Sequence, residues 1–81
     1  MATIISLSEL PVGKIGTITK ISSTSPMSRR LMDLGFIPGT IVRTISKAPL
    51  GDPITFEVKG YQLGLRKTES GIINVEANLD E

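Results

Sequence analysis

Cysteine and histidine are both absent from the 81 residues, and so is tryptophan. Without thiols there are no disulfides, and nothing in the chain requires an oxidising compartment. Without thiolates and imidazoles, the usual ligands of structural zinc, iron–sulfur clusters and haem are missing. A metal would have to sit on carboxylates, carbonyls, hydroxyls or methionine thioethers, a set suited to hard cations or weak, transient binding. The same absences count against an enzyme. A serine nucleophile among Ser22, Ser23 and Ser25 lacks its usual base, leaving only lysine or carboxylate variants. Gly35 and Gly39 lack the following Lys-Ser/Thr of a phosphate-cradling loop. The chain therefore reads as non-enzymatic, and no cofactor is expected.

Long apolar runs are missing too: none approaches the ~20 residues needed to span a bilayer. Met1 to Leu7 has neither a basic segment nor a continuous apolar core, so it does not read as a signal peptide. The expected location is cytoplasmic, with no insertion into a membrane. Charge of either sign is not in excess, with nine Lys and Arg against eight Asp and Glu and an isoelectric point near 8.1. Domains dedicated to nucleic acid usually carry a clustered basic face and an isoelectric point above about 9, so no nucleic-acid partner is expected. Aromatic residues are limited to one Tyr and two Phe, which makes the core mainly aliphatic. The length fits a single domain over 1–81, with its core in about 7–77. Folding at this size buries only roughly 60–65% of the surface of the unfolded chain.

What is present is organised around residues 25–40. Ser25 suits a helix N-cap, and Pro26 then falls at the first helical position, where its missing N–H costs nothing. Met27, Leu31 and Leu34 at i, i+4 and i+7 form one apolar stripe. Gly35 suits the left-handed close of a helix, and Pro38-Gly39 the centre of a type II turn.

Everything after that helix reads as strand. Before it, Leu7 to Gly13 reads as a helical turn or tight loop whose Leu7 and Leu10 plug one end of the core. Lys14–Ile21 and Thr40–Lys47 are rich in β-branched residues. Ile15 and Ile21 are of opposite parity to Ile18, which a bulge near Gly16 would reconcile. Ile54, Phe56 and Val58 alternate inward, Lys59-Gly60 turns the chain, and Tyr61, Leu63 and Leu65 face in on the return. Thr68–Gly71 reads as one more turn, Ile73, Val75 and Ala77 as a last inward face, and Asn78–Glu81 as a frayed acidic tail. Five short strands with one helix between the first two imply a small, highly curved all-β antiparallel barrel, since closing the sheet hides its edges.

Three segments, in order, resemble the FeoA family. Arg30-Leu31-Met32-Asp33-Leu34-Gly35-Phe36-Ile37-Pro38-Gly39-Thr40 is similar to its leading signature. Ala48-Pro49-Leu50-Gly51-Asp52-Pro53 resembles its A-P-L-G-D-P loop. Leu65-Arg66-Lys67, followed by Ile73-Asn74-Val75, is similar to its closing pattern. The resemblance implies an SH3-like barrel acting as an accessory of bacterial ferrous iron transport. The implied partner is FeoB, a membrane transporter with a cytosolic G-domain. A related barrel ends metal-dependent regulators of the diphtheria-toxin-repressor type. No DNA-binding region is expected ahead of this one, so that role is set aside. The family supplies no catalytic residues to carry over.

The surface expected to meet a partner comprises Arg29, Arg30, Met32, Leu50 and Asp52. Arg29 either pairs with Asp33 one turn on or docks on an acidic patch, where arginine forks are favoured. Leu50 is either an incidental loop residue or an anchor presented on a stiff connection. Met27, Met32 and Phe36 read as core by spacing, except that Met32 falls off the buried stripe. Two alternatives stay open. Tyr61 with Lys59, Arg66 and Lys67 would make a basic–aromatic patch for RNA. Asp52, Glu57, Glu69 and Glu76 would have to converge for a weak transition-metal sensor.

Overall fold

The computed structural model describes residues 2–22 and 24–79. Six strands form one antiparallel sheet: β1 (Ala2–Ser6), β2 (Ile15–Ile21), β3 (Ile41–Lys47), β4 (Ile54–Val58), β5 (Tyr61–Leu65) and β6 (Ile73–Asn78). Their spatial order is β1-β6-β2-β3-β4-β5, so the last strand lies between the first two. A 3-10 turn, Leu7–Glu9, follows β1. Helix α1 (Pro26–Asp33) joins β2 to β3, and the single turn α2 (Lys67–Ser70) joins β5 to β6.

The sheet wraps around one core. Leu7, Leu10, Ile18, Leu31, Phe36, Val42, Ile54, Phe56, Val58, Leu65, Ile73, Val75 and Ala77 are all buried in it. The alternation expected of β4 and β6 is observed, and Leu7 and Leu10 are fully buried from the 3-10 turn. The all-β curled sheet with a short helix agrees with the expectation, but the described residues form six strands instead of five. The additional strand, β1, pairs along its length with β6, from Ala2 opposite Asn78 to Ser6 opposite Asn74. Asn78 is therefore a sheet residue and Leu79 packs on the core, so neither belongs to a frayed tail. Asp80 and Glu81 lie outside the described residues.

The bulge expected near Gly16 lies three residues further on. Ile18 pairs with Val75 and Ile21 with Ile73, so three steps on β2 match two on β6, with Thr19 as the extra residue. That insertion restores Ile21 to the core side and leaves Ile15 on the outer face. Gly16 instead faces inward, where a Cβ would stand 3.1 Å from the Val75 side chain. A second shift between Thr44 and Ser46 bends β3 against β4.

Helix α1 begins and ends as its sequence demands. Pro26 occupies the first turn, although the Ser25 side chain does not cap it; the Ser28 hydroxyl donates back to the Ser25 carbonyl at 2.7 Å. At the other end Gly35, with φ of 111°, donates to Met32, and Phe36 donates to Leu31. This is a Schellman close, and its apolar pair, Leu31 and Phe36, is fully buried. Gly39, with φ of 92°, completes the expected turn through Thr40 N–H donating to the Ile37 carbonyl at 3.1 Å. At the β4–β5 turn both Lys59 and Gly60 have positive φ, as the two-residue hairpins that follow the sheet twist require.

With so few aromatic residues, Phe56 carries a large share of the core volume. Phe56→Ala should lower the unfolding free energy by about 3–5 kcal/mol. Urea denaturation should register this as a lower midpoint with an unchanged slope.

Candidate functional site

The short helix α2 ties together the two segments that carry most of the expected surface. Its first turn is held from within by Glu69, whose Oε1 accepts from the Arg66 N–H at 2.8 Å. The other oxygen, Oε2, pairs with the Arg30 guanidinium of α1. On the opposite flank, Asp52 Oδ1 accepts from the Lys67 N–H at 2.9 Å, anchoring the 48–53 loop to the same helix. The Lys67 ammonium lies over Gly51, 3.2 Å from where a Cβ would stand.

The loop is braced across its own base. Ala48 N–H donates to the Pro53 carbonyl at 3.0 Å, and Gly51 N–H donates to the Ala48 carbonyl at 2.7 Å. The Asp52–Pro53 peptide is cis. Leu50 stands at the tip with 95% of its surface exposed.

Helix α1 is clasped at its C-terminal end by the β4–β5 hairpin. The Tyr61 hydroxyl donates to the Leu34 carbonyl, satisfying one of the acceptors a helix end leaves open. The Lys59 stem lies against Gly35. The other flank of α1 borders a groove of about 510 Å³, lined by Ile21, Met32 and Pro38 together with the charged Lys20, Arg29 and Asp33. Met32 is 46% exposed there, off the buried stripe as its position on the helix implies.

The five expected residues thus fall into two groups. Arg30, Leu50 and Asp52 gather around α2, whereas Arg29 and Met32 line the groove. Arg30 and Asp52 are both committed to internal contacts, so the side chains left for another molecule are Leu50, Met32 and Arg29. Arg29 and Asp33 do not pair; among the described residues neither has an ion-pair partner. Tyr61 is 42% exposed instead of packed in the core. It shares the end of α1 with Lys59, while Lys67 sits on the 48–53 loop, so the basic–aromatic cluster is divided between two supports. Among the described residues no three acidic side chains come together to hold a metal ion. Glu69 was named from sequence only as a possible metal ligand, and its role as a fastener between α1 and α2 was missed. Its place three positions after Arg66, with the spacing of a helix-capping acid, was the available signal.

The FeoA domain family matches this chain over residues 5–77. The chain belongs to the FeoA family. It is 30% identical over 70 residues to the Fe(2+) transport protein A/Fe(2+) transporter FeoB fusion protein of Porphyromonas gingivalis, covering 86% of this chain. The chain spans only 8% of that relative's length. Among solved structures, a FeoA-like protein from Clostridium acetobutylicum superposes with a TM-score of 0.90 at 37% identity, over all of this chain and 94% of the other. The zinc complex of Stenotrophomonas maltophilia FeoA, a prokaryotic SH3 domain protein, superposes at 0.79 with 31% identity, over 88% of each chain. The fold of the present chain is SH3-like, and no helix among its described residues is long and apolar enough to cross a membrane.

If Tyr61 and Glu69 hold α1 from its two sides, their loss should act locally. Tyr61→Phe should cost about 1 kcal/mol, with amide exchange of the last turn of α1 accelerated more than that of β6. The Arg30→Ala, Glu69→Gln cycle should give a coupling of only about 0.2–1 kcal/mol in chemical denaturation, because Arg30 is more than half exposed.

Proposed function

We propose that this chain, as a single FeoA-type domain, is a non-enzymatic cytoplasmic accessory of ferrous iron uptake. It binds the cytosolic part of a FeoB-type membrane transporter and modulates its activity. The observation that carries this reading is the Porphyromonas gingivalis relative, in which the counterpart of this domain and a FeoB transporter are one polypeptide. Fusion makes an association intramolecular and raises the effective concentration of the partners, which is useful only where the two act on each other.

The proposed contact surface is Leu50 with Arg29 and Met32, supported on the framework of Arg30, Glu69 and Asp52. Leu50 is presented by a braced loop, so it loses little conformational freedom on docking. Arg29 has no internal partner to give up among the described residues. No nucleic acid is required by this reading.

Binding of the purified chain to the transporter's cytosolic domain, measured by titration calorimetry with and without guanine nucleotide, tests the proposal. Saturable binding is expected, with Leu50→Asp and Arg29→Glu each weakening it roughly tenfold or more. Absence of association by the wild type, or equal affinity of both variants, would defeat the proposed surface.

A further inference from the structure

On the side of the sheet that faces away from the core, β2 and β3 carry exposed isoleucines that the proposed partner surface does not use. Ile15 and Ile41 are 49% and 60% exposed. They are diagonal neighbours, because Ile15 pairs with Arg43 and Ile41 with Thr17. On one side of this ridge lies a trough of about 500 Å³ that reaches Ala2, Glu76 and Asn78. On the other lies a smaller hollow, of about 330 Å³, bounded by Arg43, Glu57 and Lys59. The neighbouring edge strand, Ala2 to Ser6, carries no charge and no proline to discourage association.

The charges on this face are of both signs, and they are placed symmetrically. Glu76 is beside Thr17 on β6, and Arg43 is beside Ile15 on β3, so the two lie on opposite sides of β2 and two residues apart along it. A two-fold axis lying over β2 between Ile15 and Thr17 exchanges the Glu76 and Arg43 positions. With strands about 4.8 Å apart and a rise of about 3.4 Å per residue, the same axis leaves Ile15 and Ile41 each within about 4 Å, in projection, of its own symmetry mate. A closed two-fold contact needs that property: one patch complementary to itself.

We propose that this outer face is a homodimer interface, in which Ile15 and Ile41 pack on their counterparts and Glu76 of each copy pairs with Arg43 of the other. The occupant is a second copy of this chain. A strongly acidic or basic partner would meet a like charge at one end of the face. Arg43 enters the contact from a weak internal position, 4.0 Å from Glu57 and 3.4 Å from the Gly13 carbonyl. The interface shares no residue with the surface formed by Arg29, Met32 and Leu50, so it stands independently of the transporter reading.

Sedimentation equilibrium of the full chain over micromolar to millimolar concentration tests it. A reversible monomer–dimer equilibrium is expected. Ile41→Lys should abolish the dimer, and Glu76→Arg or Arg43→Glu should each weaken it roughly tenfold or more, because each reversal places two like-charge contacts in one dimer. The Glu76→Arg, Arg43→Glu double variant should recover most of the loss. Circular dichroism of each variant separates lost association from lost folding. A wild type that stays monomeric at millimolar concentration would overturn the proposal. So would a dimer in which the folded double variant associates no better than the single reversals.

Discussion

A single sheet of six short strands has to enclose its own core, and the two bulges make that possible. Flat strands would offer one inward face to nothing, because the described residues supply no second sheet and no helix layer to cover it. The extra residue at Thr19 and the register shift after Thr44 increase the local twist and turn the sheet on itself. Leu7 and Leu10 from the 3-10 turn and Leu31 with Phe36 from α1 add buried side chains from outside the sheet. Thr44, beside the second bulge, is fully buried with its hydroxyl unpartnered among the described residues, a small cost of bending there.

How much of this was legible depends on whether a feature is specified locally. Helix α1 was legible because Pro26 and Gly35 mark its ends and Leu31 its buried face, all within ten residues. The β4–β5 hairpin was legible for the same reason. β1 was not, since Ala2 to Ser6 becomes a strand only by pairing with β6 at the far end of the chain, from Ala2 opposite Asn78 to Ser6 opposite Asn74. The position of the bulge on β2 was equally hidden. Ile15, Ile18 and Ile21 cannot all face one way on an unbroken strand, but only the partner strand decides which is left outside.

The candidate site shows the same division. Exposure of Leu50 and Met32 followed from a proline-bounded loop and from helical spacing. The roles of Arg30 and Asp52 did not, because their partners lie on α2, which the sequence marks only as a turn. Both read as available charges, yet Asp52 anchors a loop and Arg30 crosses to Glu69. Both of these charges serve as fasteners, holding a loop and a helix in place by hydrogen bonds and an ion pair at the surface.

That economy bears on what kind of surface the domain can offer. A loop free to fluctuate would surrender conformational entropy on docking, and one anchored leucine contributes too little apolar area to repay much of it. Here the loop is closed across its base, pinned by Asp52 to α2, and α2 is in turn held to α1 through Glu69. Three segments distant in sequence are thereby fixed relative to one another by side chains that engage each other at the surface, leaving Leu50, Met32 and Arg29 without such contacts among the described residues on a common support. If the proposed contact is made on this support, little conformational freedom is left to lose there on docking, because α2 already holds the loop and α1 in place.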